Sequence, residues 1–320
     1  MAHAQTLTER AAPRQRGMTR SQRRTLSFYM FIAPWLLGLI ALGIIPLVLG
    51  LLTSFTNYDG LNLDSVKFVG ARNYLRAFSD PDTAYSLGRT LLWTVLNVPL
   101  WLVACFGLAF ILSRQQRGQG FFRTLFYLPS IIPLVATVWI WRIFLDANYG
   151  LLNGIASLFR PGTAVQWFAD YGLASLTAIS LWMGLGGGMV IFLAGLQGIS
   201  VELEEAARID GANIWQIMQF ITVPLMTPVI FFQLILALIS AGQQFVLPML
   251  ISNTASGAAN RSVYLYMVHT YQQIFVFQRF GYGSALLWLF FVLVLILTLI
   301  LFRTSRFWVY YEAEVEGGRA

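Results

Sequence analysis

Residues 200–224, SVELEEAARIDGANIWQIMQFITVP, form the one long polar-bearing stretch between strongly apolar runs that reads as ordered structure. Ser200 is the expected N-cap, and Glu202, Glu204 and Glu205 follow close behind it, where carboxylates oppose the positive end of the helix dipole. Leu203, Ala206 and Ala207 share a small apolar face. Asp210-Gly211 supplies the stop, because glycine accepts the left-handed backbone that ends a helix. Ile214, Ile217, Met218 and Ile221 then recur at helical spacing, with Gln216 on the polar face. The stretch therefore predicts two short helices joined by a glycine turn, after which Pro224 and Pro228 lead into the next apolar run. A pair of interfacial helices that merely bridges two spans carries the same periodicity.

The chain around this stretch has 320 residues, is 57% hydrophobic and only 11% charged, and has a mean hydropathy of +0.66. Such a chain is excluded as a water-soluble globule and is expected to be a multi-pass membrane protein. Six spans are predicted: 28–54, then about 87–112, 125–145, 173–197, 225–252 and 282–302. Residues 1–27, with six arginines, Pro13 and Gly17, read as a disordered basic tail, 55–86 as a loop, and 303–320 as a second tail. Phe28–Ser54 carries no charge and is too long for the apolar core of a cleaved signal peptide; its Pro34 and Pro46 imply kinks. In the loops, Ala71–Phe78 and Leu151–Phe159 are expected to form short surface helices, and Asn253–Asn260 is a small-residue loop. Gly184, Gly186, Gly187, Gly188 and Gly195 in the fourth span remove side chains where neighbouring helices approach.

Arginine placement orients the chain. The first tail, the segment holding Arg114, Arg117 and Arg123, the stretch with Arg208, and the second tail with Arg303, Arg306 and Arg319 fall on one side. Lys67, Arg72, Arg76, Arg160, Arg261 and Arg279 are spread over longer loops on the other. The positive-inside rule then makes both termini and residues 200–224 cytoplasmic, and the same pattern accounts for the net charge of +7 through lipid headgroups, without nucleic acid.

Glu205-Ala206-Ala207, three residues, Gly211, nine residues, Ile221, one residue, then Val223-Pro224 resemble the EAA loop of permease subunits of binding-protein-dependent ABC importers. Val223 stands where that family usually has leucine. Tyr127-Leu128-Pro129 with Ile132-Pro133, and Gly281–Ala285, are similar to the carbohydrate branch, the maltose and glycerol-phosphate permeases, over about residues 87–302. The segment 252–260 lacks the Thr-Gly-Gly-Pro run common there. The resemblance implies an all-α integral membrane protein of six spans with the type I importer permease fold, in which Glu205, Ala206, Ala207, Asp210 and Gly211 couple to an ATPase subunit. It also implies the partners: a second permease, a cytoplasmic ATPase dimer that binds the ATP, and an extracytoplasmic solute-binding protein. The expected site is the cell membrane, among its lipids, and the expected cargo a di- or oligosaccharide. Import of a polyol or glycerol phosphodiester, and simple anchoring of a cytoplasmic partner, stay open as alternatives.

What the residues lack narrows the chemistry. Lys67 is followed by Phe68, so the chain has no P-loop and no nucleotide cofactor of its own is expected. No Asp, Glu or Lys falls within a predicted span, which argues against ion-coupled transport. His3, His269 and Cys105 make no metal site; His269 reads as a satisfied surface residue and Cys105 as packing, and no catalytic constellation is expected. A sugar path needs neutral hydrogen-bonding and aromatic groups, for which Asn97, Trp101, Trp182, Gln233, Gln243, Gln244 and Phe245 are candidates; ordinary helix packing competes for each. Gln243 and Gln244 lead, because they follow Ser240-Ala241-Gly242 deep in the fifth predicted span. Cysteines placed at Asn62, Gly162 and Ser256 are expected to react with an impermeant label added outside cells, and one at Asn213 is not; outside labelling at Asn213 would refute the six-span topology.

Overall fold

The computed structural model describes residues 20–114, 117–162, 164–252 and 260–310. The expectations on residues 1–19, on the loop 253–259 with its Ser256 label position, and on 311–320 with Arg319 lie outside the described residues. The described elements are helical apart from a single antiparallel bridge, Thr56 to Phe68. Among the described residues five helices are long and apolar enough to cross a membrane, and a bent helix pair makes a sixth if it is one span.

The chain divides into two compact units, 1–52 and 53–320. Helix α1, Arg20–Ser54, makes up the described part of the first and ends two residues into the second. Nothing in its apolar window is buried, a state that suits lipid and not water. Arg20–Ser27 are helical, so the disordered tail expected through residue 27 is corrected for these eight positions: the apolar run below them extends the helix upstream.

In the second unit, α2 is Arg72–Ser79 and α3 is Pro81–Ser113. Asp80 caps α3 by accepting from the Asp82 amide at 2.9 Å, with Pro81 at the first helical position, where its missing N–H costs nothing. At about 1.5 Å per residue this 33-residue helix exceeds the hydrocarbon thickness and projects beyond it. It packs chiefly on α7, Gly172–Gln197. Between them come α4, Gln119–Ile131, α5, Leu134–Phe144, and α6, Leu151–Phe159. The uninterrupted span expected at 125–145 is corrected here: α4 and α5 meet at 97°. Pro133 forces the residue before it out of the helical region, and Ile132 is extended (φ −68°, ψ 130°).

Helix α8, Val201–Ile209, precedes α9, Ile214–Gly242, which holds a π turn at Met218–Thr222. The span expected at 225–252 is corrected at both ends. It begins eleven residues earlier, and it stops at Gly242, with Gln243–Phe245 forming a break before α10, Val246–Ser252. A second π turn, Ile40–Ile44, lies in α1. Each of these two π turns ends two residues before a proline, Pro46 or Pro224, and closes by an i to i+5 bond, from Ile45 to Ile40 and from Val223 to Met218; a third, Gln272–Val276, has no proline behind it. A proline ring crowds the carbonyl four residues back and donates nothing to it, so widening the preceding turn lets the helix continue.

Helices α11, Tyr266–Tyr271, and α12, Phe280–Ser305, complete the fold. His269, expected at the surface, is fully buried on α11. Its Nε2 lies 3.0 Å from the Thr83 hydroxyl and its Nδ1 2.8 Å from the Tyr264 hydroxyl, which itself donates to Gln272 at 2.9 Å. Tyr264 therefore accepts from Nδ1–H, and burial lowers the histidine pKa, keeping it neutral. Asp80 accepts from the Tyr282 hydroxyl at 2.9 Å, and these polar contacts tie α3, α11 and α12 together at one end of the bundle.

The glycines of α7 are sites of close approach. A Cβ on Gly186 would lie 2.4 Å from the Phe126 carbonyl oxygen and 2.6 Å from the Tyr127 Cα, both backbone atoms of α4. Gly187 has nothing within 4 Å. Gly186→Leu should therefore separate α4 from α7 at a cost of about 1–3 kcal/mol, whereas Gly187→Ala should leave stability unchanged. Thermal unfolding in detergent tests the pair, and equal midpoints for both would show that the helices do not touch at Gly186.

Candidate coupling loop and intramembrane cavity

Two places combine exposed or unpaired polar groups with defined geometry. The first is the connection between α7 and α9. Ser200 accepts from the Glu202 amide at 3.2 Å and opens α8, with Glu202 and Glu204 in its first turn. The helix closes in a Schellman arrangement: Gly211 N–H donates to the Arg208 carbonyl at 3.0 Å and Ala212 N–H to the Ala207 carbonyl at 2.9 Å. This places Gly211 at φ +84°, left-handed backbone that a β-branched side chain resists. Asn213 then caps α9, accepting from the Trp215 and Gln216 amides at 3.0 and 2.9 Å, while Gln216 Oε1 accepts from the Asn213 amide at 2.7 Å. The expectation that Gln216 only decorates a polar face is corrected: it closes a capping box.

Glu204 holds Arg114 at the end of α3 (3.3 Å) and Arg208 on its own helix (3.7 Å). Glu205 and Asp210 are exposed and form no ion pair among the described residues; Ala206 is exposed and Ala207 half-buried. Around them Ile209 is 87% exposed, Trp215 and Phe220 each 69%. A concavity of 270 Å³ beside Asp210 and Gly211 is lined by Gln216, Ile217, Phe220 and Ile221. Apolar residues this exposed at a helical corner, ringed by carboxylates, make a surface suited to a protein partner.

The second place is a cavity of 380 Å³ between α3, α7 and α9. Trp93, Asn97 and Trp101 enter it from α3, Ser180, Gly184, Gly187 and Gly188 from α7, and Gln233 and Ser240 from α9, with Gln244 just past its end. Trp93, Asn97 and Gln233 are only 1%, 7% and 2% exposed, yet Trp93 Nε1, Asn97 Oδ1 and Gln233 Nε2 have no hydrogen-bond partner. An unpaired buried polar atom costs about 1–3 kcal/mol, and here two donors and an acceptor belong to residues lining one cavity. Gly184 and Gly188 leave the room that the Trp101 ring occupies, since a Cβ on either would lie within 2.7 Å of it.

The candidates for the path therefore separate. Asn97 and Gln244 line the cavity together with Gln233 and Trp101. Gln243, next to Gln244, does not; it caps α9 from outside the lining and is exposed. Phe245 packs on the Tyr271 ring at 4.8 Å, and Trp182 meets Trp141 edge-on at 6.1 Å, both outside the cavity. Trp93, Ser180 and Ser240 were missed by sequence reading, although Trp93, Asn97 and Trp101 repeat every four residues on one face of α3. A larger concavity of 690 Å³ is bounded by Ser252 and Asn260, which flank an undescribed segment. Among the described residues no group of His, Cys, Asp and Glu could hold a metal.

The family model for the binding-protein-dependent transport system inner membrane component matches residues 102–311. A probable ABC transporter permease protein of Bacillus subtilis, YesP, is 37% identical over 304 residues, 93% of this chain and 96% of its own. The trehalose/maltose transport system permease protein MalF of Thermococcus litoralis is 31% identical over 285 residues, 87% of this chain and 93% of its own. Among solved structures, a bacterial alginate ABC transporter in complex with an alginate pentasaccharide-bound periplasmic protein matches with a TM-score of 0.78. It does so at 19% identity, covering 90% of this chain and 96% of the matched one. Gly211→Val and Asn213→Ala should each weaken the α8–α9 corner, by about 1–2 kcal/mol for the strained backbone or the lost cap. Hydrogen exchange at residues 206–216 should rise in both, and unchanged protection would mean that the corner is not held by these bonds.

Proposed function

The chain belongs to the binding-protein-dependent transport system inner membrane components, the permeases of ABC importers, and from that premise we propose that it carries a di- or oligosaccharide across the cell membrane through the cavity between α3, α7 and α9. The observation that carries this reading is that three residues lining one neutral cavity, Trp93, Asn97 and Gln233, each keep a buried polar atom without a hydrogen-bond partner, Nε1, Oδ1 and Nε2. A sugar hydroxyl both donates and accepts, so it satisfies either kind of orphan, and indole walls suit a pyranose face. No ionisable side chain lines the cavity, which favours a neutral polyhydroxylated solute over a glycerol phosphodiester. The named substrates of relatives, trehalose or maltose and lactose, are of this kind.

In this reading the chain is a conduit and not an enzyme, and works beside a second permease. A cytoplasmic ATPase dimer binds ATP and receives α8 through Glu205, Ala206, Ala207, Asp210 and Gly211; a solute-binding protein delivers cargo on the other side. Both termini are cytoplasmic. The mechanism follows from how the cavity is attached. α9 is continuous from the coupling corner to the cavity wall, α7 reaches the corner through three residues, 198–200, and α3 is tied to it by Arg114 and Glu204. A displacement of α8 imposed by ATPase closure therefore moves α7 and α9, α3 follows through its packing on α7, and the cavity changes the side it faces.

The test separates transport from folding. Asn97→Leu and Gln233→Leu each remove a buried unpaired polar atom, so unfolding midpoints in detergent should rise or stay level. Uptake by vesicles holding the assembled importer and its binding protein should fall about tenfold per lost bond of ~1.4 kcal/mol. Gln243→Leu should change uptake little. Lower midpoints with normal uptake for Asn97→Leu and Gln233→Leu would mean that these groups are structural.

A further inference from the structure

Far from the coupling corner, at the end of α3 opposite Arg114, a second concavity of 460 Å³ is lined by Arg72 and Arg76 of α2, by Arg279 just before α12, and by Tyr58 and Tyr282. None of the three guanidinium groups forms an ion pair among the described residues. Arg76 stacks 4.5 Å from the centre of the Tyr282 ring, and the partners of Arg279 are neutral, Gln273 at 3.3 Å and the Phe277 ring at 5.5 Å. Three unneutralised arginines around one hollow repel one another unless an anion joins them. The backbone is built to hold them there. Asn73 donates to the Ser54 and Thr56 carbonyls, both at 2.8 Å, fixing α2 against the segment 54–56, and Gly281 N–H donates to the Tyr58 carbonyl at 2.9 Å. Gln278 takes the only positive φ of a non-glycine residue in the described chain, +52°, immediately before Arg279.

The level of this hollow says what the anion is. It lies where the spanning helix α12 begins, at Phe280, so its depth is that of the membrane–water boundary. Tyrosines favour that zone. Next to the arginines on α2, Leu75 and Phe78 are exposed, Phe78 by 77%, and Phe68 is exposed beside them. A short helix with arginines on one side, bare apolar side chains on the adjoining side and its third side against the protein lies in the headgroup layer.

We propose that this hollow is a binding site for an anionic glycerophospholipid, with Arg72, Arg76 and Arg279 holding the headgroup phosphate and the acyl chains covering Leu75, Phe78 and Phe68. Planar guanidinium groups match phosphate oxygens in bidentate pairs, and the aromatic walls exclude water from them. A bound lipid would reinforce the packing of α2 on α12, bracing the end of the bundle where His269 and Asp80 also meet. The site is independent of the sugar cavity, and its failure would leave the transport reading intact.

Native mass spectrometry of the full chain in detergent, titrated with dioctanoyl phosphatidylglycerol, dioctanoyl phosphatidylcholine or glycerol 3-phosphate, tests it. Phosphatidylglycerol should bind about tenfold more tightly than either of the others, and should raise the unfolding midpoint. Arg72→Gln/Arg76→Gln/Arg279→Gln should lose that preference, Arg279→Gln alone should reduce it, and Arg123→Gln, at the other end of the bundle, should keep it. Equal binding of the two lipids would overturn the proposal, as would an undiminished preference in the Arg279→Gln chain. Glycerol 3-phosphate binding as tightly as phosphatidylglycerol would replace the lipid with a free phosphate and overturn it equally.

Discussion

No water reaches the hydrocarbon interior of a bilayer, so every backbone N–H and C=O there has to find its partner within the protein. Helix is the local answer, and the prolines of this chain show what happens where it is interrupted. Pro99 is absorbed within α3. At Pro133 the helix breaks and turns through 97°, which divides one apolar run between two directions. At Pro224 the π turn Met218–Thr222 keeps α9 continuous, with Val223 still bonded to Met218. That third solution has a mechanical consequence: the coupling corner and the cavity wall are the two ends of one uninterrupted rod.

The same accounting applied to side chains separates structure from site. Around His269 each buried polar group meets another: the imidazole nitrogens have Thr83 and Tyr264, Tyr264 has Gln272, and Asp80 has Tyr282. Such a network stabilises a fold and leaves nothing over for a ligand. Around the α3–α7–α9 cavity the count fails at Trp93, Asn97 and Gln233. Three atoms at about 1–3 kcal/mol each are a cost that packing alone does not recover, and in the proposed function a polar occupant would offset it. The glycines of α7 serve both ends of this design. Gly186 brings α4 into backbone contact, and Gly184 and Gly188 set the Trp101 ring into the wall.

Magnitudes also decide which link transmits motion. The Arg114–Glu204 pair is about three-quarters shielded and 3.3 Å long, and partly exposed pairs of this kind contribute roughly 0–1 kcal/mol. It orients α3 against α8 but cannot drag it. The covalent path through 198–200 and the unbroken α9 can, so in the proposed mechanism α7 and α9 are the driven walls and α3 follows by packing, its long contact with α7 carrying it.

Much of the coupling corner was legible in the sequence, because everything that shapes it is local. Ser200 caps its own helix, Gly211 supplies its own left-handed turn, and the apolar spacing of 214–221 sets one face; no distant residue is needed for any of these. The membrane class followed from composition for the same reason, since burial in lipid demands apolar residues at nearly every position of a span. The capping box at Asn213 and Gln216 was equally local and could have been read there. The cavity was not legible in that way. Gln243 and Gln244 are neighbours of one chemistry, and only the break after Gly242 turns one toward the cavity and the other away. Trp101 and Trp182 are both tryptophans in apolar spans; one fits a wall cleared by glycines on another helix, and the other finds Trp141. Arg279 stands some two hundred residues from Arg72 and Arg76 in the chain, and they meet only because α2 packs against α12. Local hydrogen bonding and hydropathy are properties of a segment, and a segment carries them wherever it goes; which side chains share a cavity depends on helix rotation and depth, and those are settled by contacts between segments far apart in sequence.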